Sequence, residues 1–218
     1  TGLTILIFIS GVFLVDEFVH NLLKLKRKHA SYIMAMISFI AGFALFNFLD
    51  RSDVYYNYFI HTGAALNTVL IAYLFFEPMQ AKFIISIMKR YAFFMGIFFL
   101  VPLSAMAYLL TKADWAYYVV LMLLVNFLAD TGAWFFGKNF GNTKLWPTIS
   151  PKKTRAGAIG GAFTSVVLSS LFIYFVLNKL NLFIIVSLLI LAIFAQIGDL
   201  IESKLKRQFD VKDSSNLI

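Results

Sequence analysis

The chain is a succession of long apolar stretches broken by short polar ones. Stretches rich in Leu, Ile, Val and Phe fall at about 2–22, 31–49, 57–76, 91–111, 115–136, 157–177 and 181–203. Each is close to the roughly 20 residues an α-helix needs to cross a hydrocarbon core of about 30 Å. The alternation of apolar and polar residues that marks a membrane β-barrel is absent. Backbone groups cannot stay unpaired in lipid, so these stretches are predicted to be helices. The pattern predicts an all-α integral membrane protein of about seven transmembrane helices, forming a single membrane domain over 1–218 with cytoplasmic polar loops. No internal repeat and no soluble linker interrupts it.

Composition strengthens that reading. The chain is 61% hydrophobic and 14% charged, with 25 Phe and a mean hydropathy of +0.82. A soluble domain carries about a quarter charged residues. There is no Cys, which excludes disulfides and thiolate chemistry. The net charge of +8 reflects topology rather than nucleic-acid binding, because excess Lys and Arg in membrane proteins gathers in cytoplasmic loops. Lys24, Lys26, Arg27 and Lys28 form one group, and Lys82, Lys89 and Arg90 a second. Lys138, Lys144, Lys152, Lys153 and Arg155 form a third, and Lys204, Lys206, Arg207 and Lys212 a fourth. Only Arg51, Lys112 and Lys179 fall in the intervening loops. The sixteen-to-three split follows alternate loops and assigns the basic set to the cytoplasm. Thr1 then starts outside. No signal-peptide cleavage pattern is evident.

Ionisable groups within membrane helices are costly and usually mark function. Asp16, Glu17 and His20 lie near the inner end of the first span, where they read as ordinary solvated end residues. Asp130 lies inside the fifth span and is followed by Thr131 and Gly132. Asp199 and Glu202 lie near the inner end of the seventh. All share one depth and one side. Asp199, Glu202, Ser203 and Lys206 are related by steps of three and four, so they form one helical stripe. That stripe is either an ion-paired helix end or a divalent-cation site with Lys206 reaching a phosphate. Mg²⁺ is content with one or two carboxylates completed by water and phosphate oxygens. Asp130 either pairs with a Lys of another helix or serves a metal or nucleotide.

The loop 137–156 combines Gly137 and Gly141 with Lys138, Lys144, Lys152 and Lys153. It adds the hydroxyls of Thr148, Ser150 and Thr154, and Pro147 and Pro151 stiffen it. Glycines let backbone amides approach an anion, and Lys supplies point charge. Thr154 is placed to cap the next helix, whose amino terminus favours phosphate. The alternative is a basic loop resting on anionic lipid headgroups. The spacing of a Walker A loop is missing.

Two long runs carry a family resemblance. One joins Asp130-Thr131-Gly132-Ala133-Trp134 to Gly137, Gly141, Lys144-Leu145-Trp146-Pro147-Thr148-Ile149-Ser150-Pro151-Lys152-Lys153-Thr154 and Gly157 through Gly161. The other is Gly198-Asp199-Leu200-Ile201-Glu202-Ser203, Lys206-Arg207 and Lys212-Asp213-Ser214. Together they resemble the CDP-diacylglycerol synthase (phosphatidate cytidylyltransferase) family. The resemblance implies transfer of the CMP moiety of CTP to phosphatidate, giving CDP-diacylglycerol and pyrophosphate with Mg²⁺ as cofactor. It implies catalytic roles for Asp130, Asp199, Lys206, Arg207 and Asp213, with Asp199 a metal ligand. It implies substrate contacts at Lys144, Ser150, Pro151, Lys152, Lys153, Thr154, Glu202, Ser203 and Lys212. Residues 1–111 are then amino-terminal helices, and 112–218 carry the catalytic helices and loops.

The resemblance also implies CTP, phosphatidate and membrane lipids as partners, with no nucleic acid. A homodimer is compatible with it. The implied location is the bacterial inner membrane, active site facing the cytoplasm. Two departures stand out. Ala156 replaces a family Glu, and the sequence reads as truncated at Ile218, before a second metal-binding Asp of the family. Rival readings are another CTP-dependent lipid enzyme, of the CDP-archaeol synthase or polyprenol kinase type, and, from a different class, a cation-coupled transporter.

Overall fold

The computed structural model of the chain describes residues 2–49, 53–78 and 83–209. Helix α1 (Gly2–Asp16) runs on through a π turn, Glu17–Leu22. Helix α2 (Ala30–Ala44) ends likewise in a π turn, Leu45–Leu49. Then come α3 (Asp53–Phe76), the short α4 (Phe83–Arg90), α5 (Phe93–Leu109) and α6 (Trp115–Phe140). Strands β1 (Lys144–Trp146) and β2 (Ser150–Thr154) lead into α7 (Arg155–Phe172), which closes in a π turn, Ile173–Leu177. Helix α8 is Leu182–Gln208.

The expected apolar helices all form. Six of them are long and apolar enough to cross a membrane among the described residues: Gly2–Leu22, Ala30–Asn47, Val54–Phe76, Trp115–Phe140, Arg155–Leu177 and Leu182–Gln208. Helix α5 has 17 residues, or about 25 Å at 1.5 Å per residue, and falls just short. Large apolar side chains stand exposed on each long helix, among them Leu6, Ile37, Phe76, Phe127, Phe163 and Phe183. Such surfaces suit lipid rather than water. Among the described residues, the one departure from an all-α fold is the antiparallel β1–β2 hairpin, in a stretch expected to be loop.

The chain forms two compact units. One takes the residues up to Trp115 together with the end of α8 from Leu205; the other is Ala116–Lys204. In the first, α1, α2 and α5 pack around Phe8, Phe39 and Phe43, with Val15, Val19, Leu23 and Leu100 buried among them. Asp16 is more than a solvated helix end. Arg27 donates to it twice, at 3.0 and 2.9 Å, and the Tyr32 hydroxyl once, at 2.6 Å. The same hydrogen bonds hold the Arg27 guanidinium above its ordinary pKa. This clamp closes the turn between α1 and α2.

Pro102 lies inside α5. Having no N–H, it leaves the carbonyl of Phe98 without its helical donor, and an orphan carbonyl in lipid is expensive. Asn67 of α3 supplies the missing donor: its Nδ2 gives a hydrogen bond of 2.9 Å to the Phe98 oxygen. Further along the same helix, the Tyr56 hydroxyl donates to the Ser104 carbonyl, and Asn47 Nδ2 donates to Ser104 Oγ at 3.1 Å. Polar side chains thus fasten α3 and the end of α2 to the proline-interrupted helix.

In the second unit, Val125, Ile173 and Leu188 form an apolar cluster that joins α6, α7 and α8 at one end. Asn181 Oδ1 accepts from the Ile184 amide at 2.9 Å and caps the start of α8. The opposite end carries the hairpin and the polar residues.

Asn67→Leu should cost about 1–3 kcal/mol, the usual penalty for a buried group left unsatisfied, and lower the melting temperature in detergent. Adding Pro102→Ala, which returns the backbone donor, should recover most of the loss. A double variant no more stable than Asn67→Leu alone would show that the Phe98 carbonyl is not the reason.

Candidate functional site

The site is built on the approach of α6 to α7. The buried face of α7 carries Gly157, Gly160, Gly161, Ser165 and Ser169, a run of small residues that lets membrane helices meet backbone to backbone. A Cβ on Gly161 would stand 2.5 Å from the Ala129 carbonyl oxygen, and one on Gly157 would stand 2.7 Å from that of Ala133. Further along, Ser165 Oγ donates to the Val125 carbonyl at 2.8 Å. On α8, Gln196 Nε2 donates to the Ala158 carbonyl at 3.0 Å.

The hairpin is folded onto the start of α7. Lys144 pairs with Thr154 and Trp146 with Ser150, and Ile149 in the turn is buried. The Arg155 amide donates to the Thr143 carbonyl at 3.0 Å. Thr154 caps α7 as expected: its Oγ1 accepts from the Gly157 amide at 3.1 Å. Two first-turn amides of α7 are therefore taken up by the hairpin. What the helix start offers an anion is mainly the partial positive charge of its dipole.

A cavity of about 750 Å³ opens between α6, the hairpin, the start of α7 and α8. Asp130 and Lys138 line it from α6, Lys152, Lys153 and Thr154 from β2, and Asp199 and Glu202 from α8. Lys153 Nζ is ion-paired with Asp199 Oδ2. Lys138 lies over the Trp134 ring, 5.2 Å from its centroid.

Of the residues expected to form the site, the cavity brings together Asp130, Lys152, Lys153, Thr154, Asp199 and Glu202. Lys144, Ser150, Pro151 and Ser203 belong to the same unit but lie outside its lining. Lys206 and Arg207 occupy the last turn of α8, in the other unit. Lys212 and Asp213 fall outside the described residues, as do Arg51 and Lys82. Ala156 sits on the first turn of α7, beside the lining residue Gly157.

The sequence reading missed Asn126 and Gln196, which line the cavity one turn further along their helices. A signal was there. Asn126 precedes Asp130 by four residues and Gln196 precedes Asp199 by three, so each shares its carboxylate's helical face.

The lining holds three carboxylates and three ammonium groups, so it is close to neutral in sum. Among the described residues, no cluster of three or more His, Asp or Glu side chains could hold a metal alone. The donor set suits a hard cation that shares one or two carboxylates with a ligand's own phosphate oxygens. A polyanion arriving without such a cation would meet as much repulsion as attraction.

A helical membrane protein with a charge-balanced cavity fits an enzyme that handles phosphates at a bilayer surface. The cytidylyltransferase family matches residues 1–218, and the chain belongs to that family. It is similar to a phosphatidate cytidylyltransferase of Staphylococcus aureus (strain COL), with 45% identity over 109 residues, covering 50% of this chain and 42% of that relative. It is similar also to one of Staphylococcus haemolyticus (strain JCSC1435), with 42% identity over 119 residues, covering 54% of this chain and 46% of the relative. These matches span less than half the length of either relative.

Gly161→Leu should force α6 and α7 apart and destabilise the protein by at least about 1–3 kcal/mol, whereas Ile159→Leu, on the exposed face of the same helix, should change it by less than about 0.5 kcal/mol. Thermal unfolding in detergent compares them. Equal melting temperatures would show that the close approach does not hold the unit together.

Proposed function

We propose that the protein transfers the cytidylyl group of CTP to phosphatidate, yielding CDP-diacylglycerol and pyrophosphate. The observation that carries this reading is the convergence of Asp130, Asp199, Lys152 and Lys153 on one cavity, with the names of the relatives supplying the substrates. A phosphate oxygen of phosphatidate attacks the α-phosphorus of CTP. The new P–O bond forms as the bond to the β-phosphate oxygen breaks, and pyrophosphate leaves. The attacking oxygen is already ionised, so no strong general base is required. The protein's work is positioning and charge stabilisation.

Lys152 and Lys138 face the phosphates and offset the charge that grows on the leaving group. Thr154 fixes the start of α7, whose dipole points the same way. Asp199, with Asp130 or Glu202 nearby on the same lining, would hold Mg²⁺. When bound, that ion acts as a Lewis acid on the phosphate oxygens. Helix α5 serves as a seventh span, and the alternation of basic loops supports a cavity mouth on the cytoplasmic side of a bacterial inner membrane. CTP then comes from the cytoplasm, and the lipid enters from the inner leaflet.

Pyrophosphate release with CTP and phosphatidate tests the reading. In the full-length protein Asp199→Ala should lower kcat by about 100-fold or more, on the scale of losing one transition-state electrostatic contact. Turnover kept at ordinary Mg²⁺ would remove Asp199 from this role. Lys152→Ala should act chiefly on CTP, raising its KM severalfold with a smaller change in kcat. A shift in the phosphatidate dependence instead would assign Lys152 to the lipid. A panel of lipid phosphates in the same assay reads acceptor choice, and no release with any of them would end the proposal.

A further inference from the structure

The ion pair of Lys153 with Asp199 joins two residues to which the proposed reaction gives different partners. A carboxylate that holds a divalent cation cannot keep an ammonium group on the same oxygen without placing two cations in contact. We infer that Lys153 is the resident counter-ion of Asp199, and that it passes from this carboxylate to the nucleotide phosphates when the metal binds. The inference rests on the reading above and adds a coupling between metal and nucleotide that passes through one side chain.

Three observations carry it. The pair is open enough to exchange, with 28% of the Lys153 side chain and 53% of the Asp199 side chain exposed. Ion pairs this accessible contribute little stability, so release is cheap. The hairpin does not need the pair to stay in place. Thr154 is bonded to Gly157, Arg155 to Thr143, and Ile149 is buried in the turn. The backbone of Lys153 is thus fixed while its four-carbon stem stays free to swing. Finally, the near-neutral lining leaves no surplus cation for a nucleotide. Freeing Lys153 supplies one at the moment a metal replaces it on Asp199. Lys153 is therefore a positioning residue for the metal and a binding residue for the nucleotide, and its removal acts on the two in opposite directions.

The test measures Mn²⁺, standing in for Mg²⁺, by the paramagnetic resonance of the free ion. The full-length protein is held in phosphatidylcholine nanodiscs without phosphatidate, and titrated with and without CTP. Lys153→Met should bind Mn²⁺ about fivefold more tightly than wild type when CTP is absent, the scale of one partly exposed ion pair, and should bind CTP more weakly. Lys153→Arg should stay within about twofold of wild type. Lys153→Gln, one atom shorter but uncharged and still a hydrogen-bond donor, repeats the measurement should the Met variant fold poorly. Mn²⁺ affinity unchanged or weakened in both neutral variants, while Asp199→Ala loses the Mn²⁺ site, would overturn the inference and leave the reading of the active site intact. Asp199→Ala binding Mn²⁺ as well as wild type would overturn the metal role of Asp199 itself.

Discussion

Ala129 and Ala133 turn their carbonyl oxygens toward the places where side chains on Gly161 and Gly157 would begin. Without those glycines α6 and α7 could not meet as they do, and the site depends on their meeting. Charged side chains at membrane depth are tolerated only where protein or water, rather than lipid, surrounds them. Close backbone approach at α7, the Ser165 bond to Val125 and the Gln196 bond to Ala158 fasten three helices. Asp130 and Asp199 therefore border one cavity instead of facing hydrocarbon separately. The hairpin uses the same anchor, since Thr154 closes the last rung of its ladder and caps the helix that carries the glycines.

The other unit answers the same constraint differently. The polar side chains described there are spent on partners within the protein, those of Asn67 and Tyr56 on its own backbone. Asn67 completes the helix that Pro102 interrupts, Tyr56 reaches the Ser104 carbonyl, and Asp16 is taken up by Arg27 and Tyr32. In lipid each such bond removes an otherwise unsatisfied group. The contrast separates scaffold from site: polar groups that complete the backbone hold helices together, while those facing a cavity remain available to a ligand.

Much of this was legible in the sequence because it follows from local rules. The apolar stretches located the helices to within a few residues, and the depth of Asp130 and Asp199 marked them as partners in one site. Thr154 was recognisable as a cap from its place ahead of Gly157. The hairpin was not recognisable, since Pro147 and Pro151 disguise strands of three and five residues as loop. Helix α6 runs on to Phe140 rather than ending near 136 because the hairpin supports its last turn, with Thr154 lying against Gly137 and Gly141. Asn126 and Gln196 escaped notice because uncharged amides raise no alarm in an apolar stretch. The Arg27–Asp16 and Lys153–Asp199 pairs escaped for another reason: they join residues 11 and 46 positions apart, and only the fold decides which cation meets which carboxylate.

That last point bears on how two neighbouring lysines divide their work. Lys152 and Lys153 are successive residues of β2, lying between its paired residues Ser150 and Thr154 where the ladder is irregular, and both line the cavity. Lys153 is the more buried and reaches Asp199, while Lys152 is the more exposed. A pair that looks redundant in sequence is thus divided into an inner cation committed to a carboxylate and an outer, more exposed one. The cap that Thr154 makes on Gly157 fixes the end of the strand that carries both. The same hydroxyl that starts α7 therefore also anchors the strand whose Lys153 meets Asp199, and this ties the electrostatics of the cavity to the geometry of a single helix cap.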